Sequence, residues 1–237
     1  MNVKEILPDA KSVKIFRFVP ISGPLFDFHP GQFAILNIPD PREQGKTHRR
    51  SYSIASSPLQ KEYLELCIKI NDTGTTGPLL HQMKQGDEFV IEGPYGKFLL
   101  DTATRNRIFL VGSGSGIAPL MSMIRTLTFE TPEETAKKTT QKPTLIYGFR
   151  HPEDFIYQHE LESYGKRLDL MPVASQPPDS WKYAKGHIQD VIATLSADAF
   201  TKSDWYLCGP PDMVRQAKEL LLAKNVPGMC IKTEMYE

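Results

Sequence analysis

The segment Arg50–Ser53 carries side chains suited to a ligand that has both phosphate groups and a flat ring. An arginine guanidinium offers a fork of donors that matches phosphate oxygens. Side chains two residues apart on a strand point to the same face, so Arg50 and Tyr52 can flank one ligand. Tyr52 offers an aromatic plane for stacking, and Ser53 adds a hydroxyl donor. The segment therefore predicts a binding site for such a ligand.

A glycine loop, Gly112–Pro119, follows a short apolar strand and precedes a helical pattern, which is the setting of a dinucleotide site. Gly114 and Gly116 let the backbone approach phosphate without an intervening Cβ, and Ser115 adds a hydroxyl. Pro119 fits the opening of a helix, whose dipole favours an anion. The loop lacks the final glycine of the Gly-x-Gly-x-x-Gly pattern, which indicates a nucleotide loop of another type.

A third motif, Cys208–Pro211, ends a predicted strand at the carboxyl edge of a parallel sheet. Open α/β sheets bind ligands at this edge. The thiol of Cys208 is small, uncharged and polarisable, so it can pack against a ring. No histidine partner is apparent, which argues against a nucleophilic role. Taken alone, each of the three motifs also fits a plain structural role.

The elements that must position these motifs change in character along the chain. Residues 1–102 contain short segments rich in β-branched and aromatic residues, separated by Gly, Pro and Asp turns. This spacing predicts a closed antiparallel barrel or sandwich. The predicted strands are Ser12–Val19, Gln32–Ile38, Arg50–Ala55, Leu64–Ile70 and Glu88–Glu92, with a short helix at Pro78–Met83.

From residue 103 onward, strands alternate with helices, which predicts βαβ units and a parallel sheet over residues 103–237. The polar stretch Glu130–Lys142 interrupts this rhythm and predicts a surface loop. The predicted strands are Arg107–Val111, Thr144–Gly148, Leu168–Val173 and Trp205–Cys208. The predicted helices are Pro119–Phe129, Phe155–Tyr164, Ile188–Leu195 and Pro211–Lys224.

Composition narrows the function classes. The 237 residues suit two domains, and the 28 basic and 28 acidic residues cancel, so bulk charge gives no reason to expect a nucleic-acid partner. The cysteines Cys67, Cys208 and Cys230 are too far apart for a disulfide scaffold, a zinc site or an iron–sulfur cluster in this chain alone. No apolar run approaches the ~20 residues of a membrane span, and the first residues do not form a signal peptide. We expect a cytoplasmic protein without a metal site or an integral membrane segment.

In this order, Arg-x-Tyr-Ser, Gly-x-Gly-x-x-Pro and Cys-Gly-Pro-Pro resemble the ferredoxin–NADP reductase superfamily, over nearly the whole chain. Its members bind FAD in one domain and a nicotinamide nucleotide in the next. The resemblance implies an antiparallel FAD-binding β-barrel (1–102) followed by a parallel-sheet nucleotide-binding α/β domain (103–237). It implies that Arg50 binds the pyrophosphate, Tyr52 stacks on or near the flavin, and Ser53 bonds flavin N5. Ser51 lies within the same motif.

The resemblance implies further contacts with both cofactors. The strand segment Cys67, Ile68 and Lys69 would lie along the flavin and its ribityl chain. A pyrophosphate turn would comprise Gly74, Thr75, Thr76 and Gly77, although the family usually has a hydroxyl at the last position. On the nicotinamide side the implied contacts are Gly114, Ser115, Gly116, Pro119, Arg150, Cys208, Gly209 and Pro210.

The C-terminal tail and the second parallel strand complete the expected site. Glu234 and Tyr236 would lie near the flavin, with the Tyr236 ring covering it until nicotinamide displaces that ring. Arg150 could meet the 2′-phosphate of NADPH, but Gln176 stands where NADPH users often have a second basic residue. This favours NADH slightly over NADPH.

The reaction implied is hydride transfer from NAD(P)H to bound FAD, with Ser53, Cys208 and Glu234 as the catalytic set. Electrons would then pass to a separate acceptor, such as a ferredoxin, a cytochrome or an oxygenase component. Two alternatives stay open: a flavin reductase that uses free flavin as a substrate, and an electron-transfer subunit of a larger redox complex.

Overall fold

The structure is a computed structural model that describes residues 1–43, 45–129 and 142–236. Nearly all of the predicted surface loop Glu130–Lys142 lies outside these residues, as does Glu237. Both predicted parts are present: antiparallel sheets come first, and a parallel sheet with helices follows.

The first part is a barrel-like pair of antiparallel sheets. In the described residues, one sheet has the order β1-β2-β5 and the other β4-β3-β6, and an isolated bridge from Ile54 to Leu66 joins them. A short helix, α1 (Gly77–Gln82), follows β5. Alternate strand residues fill an apolar interior. The strands are β1 (Asn2–Pro8), β2 (Val13–Val19), β3 (Phe33–Pro39), β4 (Thr47–Ser53), β5 (Leu64–Lys69) and β6 (Val90–Tyr95).

The second part is a parallel sheet with the order β10-β9-β8-β7-β11-β12 in the described residues. Its strands are nearly continuous apolar runs because helices cover both faces. The strands are β7 (Arg107–Ser113), β8 (Thr144–Phe149), β9 (Asp169–Ala174), β10 (Ala184–Lys185), β11 (Ser203–Gly209) and β12 (Ile231–Met235). The helices are α2 (Ile117–Phe129), α3 (Gln158–Ser163), α4 (Ile188–Thr194) and α5 (Pro211–Ala223).

The two parts pack through a shared apolar core. One cluster joins Ile15 and Cys67 of the barrel to Leu120 of α2 and Tyr206 of β11. The predicted boundary between residues 102 and 103 falls between β6 and β7, and it stays a prediction.

Besides the short strand β10, which was not predicted, three elements differ from the sequence-based expectation. Strand β1 was missed because a register shift between Val3 and Glu5 breaks its alternation. The predicted helix Phe155–Tyr164 is wrong at its start, since α3 begins only at Gln158. Its preceding residue, Tyr157, has a left-handed φ of 58°, which interrupts the helix there. Strand β12 was also missed, and it forms an edge of the parallel sheet.

Candidate functional site

A cleft of about 1010 Å³ opens between the barrel and the parallel sheet. We call it the flavin cleft because it lies where the sequence predicts the flavin. Both parts of the chain contribute to its walls. Its lining includes Phe33, Ser51, Tyr52 and Ser53 of the barrel sheets, Cys67 and Lys69 of β5, Asn71, Asp72 and Thr73 after β5, Ser115 and Ala118 of the glycine loop and α2, and Glu234, Met235 and Tyr236.

A second cleft of about 780 Å³ lies at the carboxyl edge of the parallel sheet, and we call it the nucleotide cleft. It is bordered by the glycine loop, Gly148–His151 and the start of α5. Ser12, Lys69 and Ser115 line both clefts, so the two cavities adjoin. This is the arrangement that two ligands with stacked rings need.

Four predicted site residues meet at the wall of the flavin cleft. Ser53, Glu234 and Tyr236 line that cleft, and Cys208 lies fully buried behind them and lines neither cleft in the described residues. The hydroxyls of Ser53 and Tyr236 are 2.5 Å apart. The Ser53 hydroxyl also donates to the Glu234 carboxylate at 3.5 Å, a long contact, and the Cys208 thiol lies 3.9 Å from the same carboxylate oxygen. The structure therefore brings the three predicted catalytic side chains and the predicted covering tyrosine into one cluster.

Strand pairing explains this convergence. Parallel pairing of β11 with β12 sets Cys208 opposite Glu234 and Gly209 opposite Met235. The Tyr236 amide then donates to the Gly209 carbonyl at 3.1 Å. The tail is thus fixed in register beside the cysteine motif rather than frayed.

Burial shapes the ionisation of the cluster. Desolvation raises the pKa of Glu234 to about 7, although the hydrogen bonds from Ser53 and Cys208 lower it. Desolvation also raises the pKa of the Cys208 thiol, so it stays protonated near neutral pH. The pKa of Tyr236 is raised well above 10 for the same main reason. Glu234 is therefore the group in this cluster that can exchange a proton near neutral pH.

The glycine loop is shaped by contacts within the protein. A Cβ on Gly116 would lie 2.2 Å from the Cys208 carbonyl oxygen, so this glycine allows the loop to pack against the cysteine motif. Gly114 has a φ of +54° and open space around it, and its carbonyl accepts from the Tyr147 hydroxyl at 2.9 Å. Of the predicted contacts in this loop, Gly114 and Ser115 border the nucleotide cleft together with Ser113, whereas Gly116 and Pro119 are buried behind them.

The flavin motif reaches the cleft only in part. Ser51, Tyr52 and Ser53 line it, and burial raises the pKa of Tyr52 to about 12. Arg50 does not line the cleft in the described structure. Its guanidinium is exposed and donates to the Arg49 carbonyl at 2.9 Å.

Strand β5 alternates across the cleft wall, which corrects one expectation. Cys67 and Lys69 line the flavin cleft, whereas Ile68 is fully buried in the barrel interior. The side chain of Ile68 therefore does not lie along a ligand, because neighbouring strand residues point to opposite faces. The raised pKa of Cys67, caused mainly by burial, keeps that residue a neutral thiol.

The predicted pyrophosphate turn, Gly74–Gly77, does not line the flavin cleft in the described residues. After β5, the lining extends along the chain only as far as Thr73. A Cβ on Gly77 would lie 2.0 Å from the Asn71 carbonyl oxygen, which explains why a hydroxyl residue does not stand there. The sequence-based prediction missed Asn71, Asp72 and Thr73 as cleft residues. Their polar character directly after β5 was the signal that could have revealed them.

Arg150 lines the nucleotide cleft at the end of β8, as predicted. Its Nε donates to Gln176 Oε1 at 3.0 Å, and the His151 ring nitrogen Nδ1 is 2.9 Å from the Gln176 carbonyl oxygen. Gln176 thus occupies the position beside Arg150 where a second cation was considered.

The chain matches two protein families in succession. Residues 2–99 match the oxidoreductase FAD-binding domain, and residues 110–219 match the oxidoreductase NAD-binding domain. The reductase component of propane 2-monooxygenase from Mycolicibacterium smegmatis is 32% identical over 235 residues, which cover 95% of this chain and 64% of that protein. The glycine betaine monooxygenase reductase subunit of Pseudomonas aeruginosa is 28% identical over 223 residues, with 92% and 58% covered. The chain therefore spans about three fifths of the length of these relatives.

Solved structures share the fold along the whole chain. A cytochrome P450 reductase from Amycolatopsis superposes with a TM-score of 0.84 at 25% identity, covering 99% of this chain and 68% of that one. The FAD/NAD-binding domain of nitric oxide dioxygenase from Vibrio cholerae gives a TM-score of 0.86 at 20% identity, covering 99% and 97%.

The chain is therefore an oxidoreductase of two domains, a barrel and a parallel sheet, with adjoining clefts. It binds FAD and a pyridine nucleotide. The chain belongs to the ferredoxin–NADP reductase superfamily, as its motifs suggest. Within the described ranges, no helix is both long and apolar enough to cross a bilayer, and no cluster of His, Cys, Asp and Glu has the geometry of a metal site.

Proposed function

We propose that this chain takes hydride from a nicotinamide nucleotide onto FAD and passes the electrons to a separate redox acceptor. The observation that carries the proposal is the meeting of Ser53, Cys208 and Glu234 at the wall of the flavin cleft. The similar reductase components serve a propane monooxygenase and a glycine betaine monooxygenase. An oxygenase component is therefore the acceptor class that we favour.

The flavin cleft fits an isoalloxazine in size and chemistry. A volume of about 1010 Å³ suits a large cofactor, and Phe33 and Tyr52 provide aromatic surface along its wall. Lys69 supplies the cationic side chain nearest to both clefts. When bound, FAD supplies the hydride acceptor and can release electrons one at a time.

The residues of this cluster position the reaction rather than attack the substrate. The Ser53 hydroxyl can turn from Tyr236 to a ligand atom at the same place, since a hydroxyl rotates freely. Cys208 is a neutral, fully buried thiol, and it would offer a compact polarisable surface to a ring once the Tyr236 ring moves aside, as the resemblance implies. Glu234 can hold or release a proton near neutral pH.

NADH is the nucleotide that we propose as the preferred donor. Arg150 is paired with an uncharged amide, Gln176, so the pocket beside it offers one guanidinium rather than two cations. A 2′-phosphate carries about two negative charges and favours paired cationic partners. NADPH use would require one arginine to neutralise that phosphate alone.

Steady-state oxidation of NADH and of NADPH, with ferricyanide as a generic electron acceptor, tests this proposal. We expect purified protein to show a flavin absorbance spectrum and to oxidise NADH with the higher kcat/KM. Protein that shows no flavin spectrum even after FAD is added would reject the function.

One observation favours a second candidate, the reduction of free flavin. The turn Gly74–Gly77 does not line the flavin cleft, and Arg50 is turned toward its own backbone. Both features would weaken the binding of a pyrophosphate. Gel filtration of FAD-loaded protein separates the two functions, because a reductase with resident FAD keeps the flavin and a free-flavin reductase loses it.

A further inference from the structure

The turn between β1 and β2 extends from the barrel into the nucleotide cleft. Lys11 and Ser12 are exposed and line that cleft together with the glycine loop. Ser12 also lines the flavin cleft, so the turn stands where the two cavities meet. No motif in the sequence marks these two residues.

Contacts with the α/β part hold this turn in place. The Lys11 amide donates to the Glu153 carbonyl at 3.1 Å. Both carboxylate oxygens of Asp9 accept from the Tyr157 amide, at 3.0 and 3.1 Å. Tyr157, whose left-handed backbone conformation interrupts the predicted helix, thus supplies the amide that binds the turn. These contacts hold the turn in place as one wall of the nucleotide cleft.

Strand pairing places a second lysine beside the turn. Val13 pairs with Lys69 across β2 and β5, and the Ile70 amide donates to the Ser12 carbonyl at 2.7 Å. Lys11 and Lys69 therefore line the nucleotide cleft from the barrel, and Ser113–Ser115 line it from the parallel sheet. The barrel contributes two cations to a cavity whose other wall is a glycine loop.

The charges around the cleft leave these lysines without partners. Two acids, Asp154 and Asp212, line the same cleft, but Asp154 accepts from the His151 amide and Asp212 pairs with Arg215. In the part of the chain that the structure describes, neither Lys11 nor Lys69 forms an ion pair. Ammonium groups beside exposed backbone amides form a favourable setting for a phosphate group.

We propose that the β1–β2 turn is a further binding element for the phosphate groups of the nicotinamide nucleotide, through the Lys11 ammonium and the Ser12 hydroxyl. This inference rests on the proposed function, because it assigns the nucleotide cleft to that ligand. The nucleotide is then bound by side chains from both parts of the chain. Binding therefore stabilises the same barrel-to-sheet contact that Asp9 and Tyr157 make.

The test measures nucleotide affinity by isothermal titration calorimetry on FAD-loaded protein, with NAD⁺, ADP and adenosine as ligands. Lys11→Gln removes the charge at an exposed position, and Lys14→Gln is its control on the adjoining strand β2, outside both clefts. We expect Lys11→Gln to weaken NAD⁺ and ADP by about five- to tenfold, which is typical of one charge-assisted contact, and to leave adenosine unchanged. Lys14→Gln should behave as wild type.

Ser12→Gly provides a second variant. Ser12 has a φ of 59°, which glycine adopts without strain, so the turn keeps its shape when the hydroxyl is removed. We expect Ser12→Gly to weaken NAD⁺ binding by about threefold to tenfold, as for one lost hydrogen bond from an exposed hydroxyl to a phosphate. Equal affinity of Lys11→Gln and wild type for NAD⁺ overturns the inference, as does an equal loss in Lys11→Gln and Lys14→Gln. Wild-type protein that binds no NAD⁺ contradicts the proposed function itself.

Discussion

Arg125 of helix α2 and Glu65 of strand β5 form an ion pair between the two parts of the chain, with 2.6 Å between Nη1 and Oε1. The Glu65 side chain is completely buried. The same Nη1 donates to the Ala55 carbonyl at 2.8 Å, and the rest of the guanidinium binds Glu160 through two contacts of 2.7 Å. One arginine therefore ties the nucleotide-binding part to two adjacent barrel segments.

Removing Arg125 should be strongly destabilising. Glu65 would keep only Arg17 Nε and the Tyr157 hydroxyl, each at 2.8 Å, while remaining buried. We expect Arg125→Met to lower the free energy of unfolding by about 3 kcal/mol, because a buried charge loses a partner. Urea unfolding measures this, with the exposed Arg167→Met as control, expected within about 0.5 kcal/mol of wild type. Equal stability of the two variants would contradict the role of the pair.

Ser53→Ala tests the cluster at the wall of the flavin cleft. The substitution removes the one hydroxyl that contacts both Tyr236 and Glu234. We expect kcat for NADH oxidation to fall by about tenfold to a hundredfold with little change in KM, because a positioned donor acts mainly in the transition state. Stopped-flow measurement of flavin reduction checks this. The exposed Ser22→Ala, in a barrel loop, should match wild type, and a change in KM alone would argue for simple binding.

Glu234 gives stability a dependence on pH. Its pKa rises from 4.5 to about 7 on folding, so the folded protein binds its proton more tightly than the unfolded chain does. The resulting stabilisation is complete below pH 4.5 and is lost as the pH rises through about 7. Glutamine does not ionise, so Glu234→Gln should gain about 1 kcal/mol over wild type between pH 5 and pH 8, after allowing for solvent screening.

Urea unfolding of both proteins at pH 5 and at pH 8 measures that difference. Glu219→Gln, at an exposed position of α5, serves as the control and should show no pH-dependent gain. A difference between Glu234→Gln and wild type that stays constant from pH 5 to pH 8 would show that Glu234 does not titrate in this range.

Gln176→Arg tests nucleotide preference. The new guanidinium would stand beside Arg150, whose Nε now contacts the Gln176 amide oxygen at 3.0 Å. We expect KM for NADPH to fall by about tenfold, since a second cation can share the 2′-phosphate, with KM for NADH nearly unchanged. Steady-state kinetics with both nucleotides checks this, and the distant, exposed Gln82→Arg is the control. An unchanged KM for NADPH would place the adenosine 2′ position elsewhere.

The fold class could be predicted from local patterns. Short β-branched segments and then alternating strands and helices were sufficient for the barrel and the parallel sheet, because hydrophobic periodicity follows the geometry of each element. The errors lie where tertiary contacts override that pattern. Helix α3 starts later than predicted, where Asp9 binds the backbone of Tyr157. In strand β1, a bulge disrupts the alternation of buried and exposed residues.

The sequence could predict which side chains belong to the candidate site, but not how they are arranged in space. Ser53, Cys208 and Glu234 were each named from motifs and resemblance, and the structure brings them together. Ile68 was included because the whole strand segment was named, without deciding which of its side chains face the cleft. Lys11 was not found, because a single lysine in a surface turn carries no local signal of what lies opposite it.

The sequence by itself determined the motifs on which the proposed chemistry depends, because a glycine loop, an arginine–tyrosine–serine strand and a cysteine motif are local arrangements of backbone and side chain. Tertiary structure alone decided where that chemistry occurs. Parallel pairing of β11 with β12 puts Glu234 beside Cys208, and packing of the barrel against α2 brings Ser53 to Glu234. These contacts join residues distant in the chain, and burial at their meeting point is what raises the pKa of Glu234 to about 7.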